Sequence, residues 1–298
     1  MTPLSSAAVL PDLRRRPILR ARRRVLVVDA GAPRNRFAAA SHGFLGRDGI
    51  APHAILDEAR EQLLAYPTVD FVRGEAVAAK AEDGGFAVRL ADGSAHRSTK
   101  LLLAFGLSDT LPDMPGMIER WGHSVLHCPY CHGIEFSDRP LGVLYNGPMS
   151  VHQAALIPEW GPTTLFLNGA ALEPETAEEL AHRGVTVEPA PVIGLEGPGV
   201  DLAAVRLAGG RAVVIEALYI APTSRLNSSL AEQLGCAVDE GIMGPMVRTE
   251  WDRMTTVPGV YAAGDIARAP HSVSWAVGDG VTAGTSLHRA LVFPALAA

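Results

Sequence analysis

Five short apolar runs constrain this chain more than any other feature. They are RRVLVVDAG (23–31), KLLLAFG (100–106), PLGVLYNG (140–147), TTLFLNG (163–169) and VPGVYAAGD (257–265). Each halts at a glycine, an aspartate or both. Unbroken apolar runs of this length read as strands buried on both faces, which calls for helices above and below a mostly parallel sheet. Helical spacing supplies the cover: HAILDEAREQLLA (53–65) behind Pro52, SVHQAALIPEW (150–160), ETAEELAHR (175–183) stopped by Gly184, and SVSWAVGDGVTAGTSLHRAL (272–291). Between the first two lies VDFVRGEAVAAKAEDGGFAVRLADGS (69–94), a set of short strands joined by Gly-Gly and Asp-Gly turns. The expected class is α/β. A length of 298 residues suits two domains. A Pro-rich hinge near 112–116 and a turn near 244–258 divide the chain into 1–113, 114–245 and 246–298. One domain is then discontinuous, with the second inserted inside it.

Charge and cysteine usage narrow the function classes. A net charge of −6 gives no footprint for nucleic acid, and no apolar run is long enough to span a bilayer. Three cysteines in such a length do not make a disulfide scaffold and fit a reducing cytosol. Cys236, alone in QLGCAV, reads as a small buried hydrophobe. The segment LRRRPILRARRR (13–24) carries seven arginines. An Arg-rich start can be a transit peptide, but a strand follows too soon to leave room for a cleaved leader, and no apolar signal core is present.

The chemistry concentrates in HCPYCHG (127–133). Cys128 and Cys131 have the spacing of a redox dithiol. With His132 the spacing is also that of covalent c-type haem attachment, and paired thiolates can hold zinc. Haem attachment accompanies export, for which there is no signal, and a structural zinc site wants a second ligand pair that the chain lacks.

Taken together, VLVVDAG, LLLAFGLSDTLPDMPG, CPYCHG, a second dinucleotide-type strand and GVYAAGD before a closing helix resemble the low-molecular-weight thioredoxin reductase family over roughly 25–290. The chain is closest to the dithiol-oxidase branch, which carries Cys-x-x-Cys-His where reductases carry Cys-x-x-Cys-Asp. The resemblance implies two Rossmann-like three-layer domains, the second inserted in the first, and a homodimer. It implies FAD in the discontinuous domain. Asp29 would accept the ribose hydroxyls, Gly31 and Gly106 would let backbone pass close to the cofactor, and Gly264 with Asp265 would meet its diphosphate and ribityl side. It implies Cys128 and Cys131 as the redox pair, Cys131 nearer the flavin, and His132 as acid/base, with His127 a weaker candidate. The loop bearing His42 would approach the flavin, and His271 and Trp275 are further residues of interest near the closing helix. No metal site is expected.

Two departures qualify this pattern. The family begins with a strand, G-x-G-x-x-G and a helix, whereas no glycine precedes Gly31 here, and Pro11 and Pro17 interrupt the segment. The Arg- and Pro-rich stretch 11–20 has the look of GC-rich coding DNA read out of frame. Loss of the first strand would leave a neighbour exposed. In the inserted domain, YNGPMSVHQA keeps only Gly147 of the nucleotide fingerprint, and LFLNGAA offers no arginine for a 2′-phosphate, so NADPH is not expected. The leading expectation is a cytoplasmic flavin-linked dithiol oxidoreductase. It would act on a small-molecule or peptide dithiol, with oxygen as acceptor. The alternatives are an NADPH-dependent thioredoxin-disulfide reductase and a cofactor-free relic or binding protein.

Overall fold

A computed structural model of the chain describes residues 6–10 and 22–293. The described chain forms two compact units. The first holds residues up to Arg36, His53–Asp109 and Ser224 onward; the second holds Phe37–Pro52 and Thr110–Thr223. The chain passes between them after Arg36, Pro52, Asp109 and Thr223. The strands at the last two passages, Leu107–Thr110 and Thr223–Leu226, pair with each other.

The first unit is built on a five-stranded sheet in the order Val260–Ala262, Lys100–Leu103, Ser6–Leu10, Val25–Asp29, Val69–Arg73. Its strands show why the apolar runs are unbroken. Leu26, Val28, Leu101 and Leu103 face one core, which they share with Phe86, Val88 and Leu90 of an antiparallel three-stranded meander. Val25, Val27, Leu102 and Tyr261 face the other, against Ala283 and Leu287 of the Val273–Val292 helix. Alternate residues are buried on opposite faces, so no position is left for a polar side chain.

Ser6–Leu10 fills the slot between Lys100–Leu103 and Val25–Asp29, so neither neighbour becomes an edge. It runs antiparallel to both neighbours, while the other pairings are parallel, so the sheet is mostly parallel as expected. A β-strand fills a sheet slot in either direction, since the backbone donors and acceptors are met both ways. Residues 11–21, on which the out-of-frame reading rests, lie outside the described residues.

The second unit carries a fully parallel sheet in the order Thr186–Glu188, Thr163–Phe166, Leu141–Leu144, Ala217–Ile220, Val125–Leu126. Leu141, Val143, Leu165 and Tyr219 pack under the helices through Ala154, Ile157 and Leu180. Leu144, Phe166, Leu218 and Ile220 pack against Val192, Leu195, Val205 and Leu207 of an antiparallel sheet. Among the described residues no helix is long and apolar enough to cross a membrane.

Candidate active site

In the second unit, the strand Val125–Leu126 delivers the chain to the dithiol. Cys128 is extended and caps the one-turn helix Pro129–His132, with proline at its first position. The backbone amides of Cys131 and His132 donate to the Cys128 carbonyl at 3.2 and 3.3 Å, and the Cys131 thiol acts on the Cys128 sulfur. The two cysteines are unbonded to each other. The Cys131 hydrogen bond outweighs burial and brings the Cys128 thiol down to about 7, within reach of the thiolate at neutral pH. Cys131 is pushed the other way by that same hydrogen bond, then by burial and by the charges of Cys128 and Glu135. One proton is therefore shared by the pair and kept on Cys131.

His132 follows at the end of the turn. Burial lowers its pKa, Glu135 opposes this and His42 adds to it. Glu135 Oε1 lies 3.2 Å from Nε2 of His42, and Asp48 Oδ2 lies 3.4 Å from Nδ1. The rings of His42 and His132 meet edge to face at 6.0 Å. The loop bearing His42 thus belongs to the second unit and brings a second imidazole to the thiols. Sequence reasoning missed Glu135, although an acid three residues beyond a histidine on one helical turn is a legible signal. It also missed Tyr219, whose hydroxyl donates to the His132 carbonyl at 3.4 Å, and Gln153, whose Nε2 donates to the His127 carbonyl at 2.7 Å. His127 enters the site through that carbonyl. Tyr130 and Ile134 flank the thiols and are 73 % and 77 % exposed.

The turn after Leu141–Leu144 lies where a nicotinamide dinucleotide would place its diphosphate. Three of its donors are engaged within the fold. Asn146 N–H donates to Ser150 Oγ, Ser150 N–H to the Gly147 carbonyl, and Asn146 Nδ2 to the Ala221 carbonyl. Pro148, first in the helix, has no N–H.

In the first unit, Asp29, Gly106 and Gly264 end or follow three strands that run the same way, so they share the carboxyl edge of the sheet. Gly31, Gly106 and Gly264 all adopt positive φ (72°, 68° and 75°), which only glycine takes without strain. Asp29 Oδ1 accepts the Gly31 amide at 2.8 Å, with Arg60 and Arg73 at 3.7 and 3.8 Å from Oδ2. Asp265 Oδ2 receives Arg34 at 2.9 Å. These are the carboxylates and glycines that the family resemblance would set against the ribose and ribityl ends of a flavin dinucleotide. At the central slot of that edge stands the amino end of Ser6–Leu10, with Ser6 opposite Asp29. Trp275 is partly exposed beneath the Arg268 guanidinium, and His271 sits against Arg34. Among the described residues no cluster of three or more His, Cys, Asp or Glu could hold a metal ion.

Comparison with known proteins agrees with this arrangement. The thioredoxin reductase tcpT of Claviceps purpurea is 31 % identical over 277 residues, covering 87 % of this chain and 84 % of the relative. The thioredoxin reductase sirT of Leptosphaeria maculans is 29 % identical over 287 residues, covering 90 % and 87 %. The crystal structure of an oxidoreductase from Agrobacterium tumefaciens superposes with a TM-score of 0.87 at 44 % identity, covering 92 % of each chain. The family model for pyridine nucleotide-disulphide oxidoreductases matches residues 18–280. With a dithiol on a parallel α/β unit and an acidic, glycine-lined sheet edge on the other, the chain belongs to this enzyme family, on its thioredoxin reductase-like side.

Proposed function

We propose that the chain is a flavin-linked dithiol oxidase. The observation that carries this reading is the Cys128–Cys131 pair on one helical turn with His132, beside Glu135 and His42; the shifts of Cys128 downward and Cys131 upward agree with it. The neutral His132 takes the proton of a substrate thiol. The resulting thiolate attacks Cys128 of the enzyme disulfide; the Cys128–Cys131 bond breaks, and Cys131 leaves and takes the proton from His132. The second substrate thiol gives its proton to His132, neutral again, and attacks the substrate sulfur of the mixed disulfide. Cys128 departs as the better thiolate, and the substrate leaves as a disulfide. FAD, when bound by Asp29, Gly31, Gly106, Gly264 and Asp265, supplies two-electron acceptance from the dithiol, with oxygen as final acceptor.

The occupied donors at Asn146–Ser150 favour oxygen over a nicotinamide partner. The exposed Tyr130 and Ile134 favour an apolar small-molecule or peptide dithiol. We place the protein in the cytoplasm as a homodimer, which sedimentation of the purified chain tests. A second reading, a cofactor-free relative acting by binding, is favoured by one observation: the Ser6–Leu10 strand runs antiparallel to both neighbours.

The deciding experiment incubates the chain with FAD, removes free cofactor and records the visible spectrum. A flavin spectrum bleached anaerobically by a dithiol, unchanged by NADPH and restored by air is the expected result. Bleaching by NADPH overturns the oxidase assignment in favour of a reductase. A colourless protein favours the second reading.

A further inference from the structure

Arg34, in the loop after the Val25–Asp29 strand, is the hub of an ionic cluster in the first unit. Its Nε and Nη2 fork onto Asp109 at 2.9 and 2.5 Å. Its Nη1 reaches Asp265 Oδ2 at 2.9 Å, and Nη2 reaches Ser224 Oγ at 3.3 Å. Nη1 also lies 2.8 Å from Nδ1 of His271. The partners come from four separate segments: Leu107–Thr110, Thr223–Leu226, the Gly264–Ala267 turn and the residues before the closing helix. The side chains of Arg34, Asp109 and Asp265 are only 18 %, 8 % and 18 % exposed. Two carboxylates this shielded repel one another and lose hydration unless a cation lies between them.

The contact with His271 fixes its protonation. A guanidinium only donates, so Nδ1 must accept, and the ring is neutral with its proton on Nε2. The charged groups facing the ring are Arg34, Asp109 and Asp265, with the Arg268 backbone also acting on it. Burial holds its pKa below the ordinary value; Asp265 opposes this, Arg34 adds to it, and Asp109 and the Arg268 backbone oppose it. Once protonated, His271 sets a second cation against Nη1 and turns a hydrogen bond into a repulsion.

We propose that Arg34 is the positioning residue for the cofactor-facing carboxylate Asp265, and that protonation of His271 loosens its grip. The assignment rests on the flavin reading above. It gives Asp265 a fixed orientation at the sheet edge, and it makes flavin retention sensitive to acid.

The test is the FAD dissociation constant of the full chain, read from quenching of flavin fluorescence, between about pH 5 and 8. Wild type, Arg34→Lys and His271→Asn are compared, with far-UV circular dichroism confirming each fold. The lysine variant keeps the charge but not the planar fork, and is expected to bind FAD about tenfold more weakly. Wild-type affinity is expected to fall with acid, and His271→Asn, which keeps an acceptor but cannot titrate, to abolish that dependence. Should Arg34→Lys misfold, Arg34→Met with Asp109→Asn removes the charge imbalance and gives the same reading. Wild-type uptake of FAD with unaltered affinity in the Arg34 variants, or an acid dependence that survives His271→Asn, overturns this assignment alone. Failure of the wild type to take up FAD at any pH overturns the flavin reading, and this assignment with it.

Discussion

Glu135 Oε1 stands 3.2 Å from Nε2 of His42, and the His42 ring meets that of His132 edge to face. The carboxylate therefore influences both imidazoles beside the dithiol. Its charge holds the His132 proton more tightly and discourages a thiolate on Cys131.

Glu135→Gln removes that charge. His132 then gives up its proton more readily, so the acid limb of the pH–rate profile for dithiol oxidation moves to lower pH. The rate at neutral pH falls by roughly tenfold or more, because a weaker base takes the substrate proton. Glu135→Asp restores part of the rate. An acid limb that stays in place rejects the role.

Alkylation separates the two thiols. In the reduced protein, iodoacetamide reacts at Cys128 with a midpoint of about 7, since the thiolate is the nucleophile and the neighbouring Cys131 thiol stabilises it. Cys131 resists at that pH. Cys128→Ser removes the partner that pushes Cys131 up, and Cys131 becomes reactive at lower pH than in the wild type. Peptide mass spectrometry after timed quenching reads both rates; preferential labelling of Cys131 in the wild type contradicts the assignment.

Gly133 is a matter of space rather than backbone freedom. Its φ of −77° suits any residue, but an added Cβ would stand 2.5 Å from the Pro129 carbonyl and 2.6 Å from the Trp160 indole nitrogen. Gly133→Ala must shift the dithiol turn or the indole, at a cost of about 1–3 kcal/mol. Urea unfolding followed by tryptophan fluorescence measures it, and an unchanged midpoint speaks against the crowding.

Asp279, buried on the Val273–Val292 helix, receives both Arg253 Nη2 and Arg268 Nε at 2.7 Å. Asp279→Ala leaves two shielded guanidinium groups facing each other and costs about 3–5 kcal/mol. Asp279→Asn keeps an acceptor and costs less. Thermal unfolding of both variants checks the order; equal losses place the effect in helix packing.

His132 and His271 are both held below the ordinary imidazole value, chiefly by burial. Between that value, about 6.5 in an unfolded chain, and their folded values, the unfolded state binds more protons than the folded one. Their contribution to stability is thus complete above about pH 6.5 and is lost as pH falls toward the folded values. Denaturant midpoints of the wild type and of His132→Asn across this range measure it, with the variant expected to lose the smaller amount in acid.

The α/β class was legible because burial on both faces writes an unbroken apolar run into each strand, as in VLVVDAG and KLLLAFG. The dithiol was legible because Cys-x-x-Cys works through local geometry, one helical turn with a capping cysteine. The sequence also located Asp29, Gly106 and Gly264, since a strand must stop where its edge begins. It did not reveal the direction of Ser6–Leu10, because a short apolar strand pairs equally well either way and its neighbours decide. Nor could it reveal that Arg34 gathers Asp109, Ser224, Asp265 and His271, or that His42 faces Glu135. Such contacts join residues up to 237 positions apart, and no periodicity encodes them. Spacing along the chain determined which chemistry is carried; tertiary structure alone decided which charges meet, because buried ionic groups are paired by the approach of whole segments rather than by their own sequence.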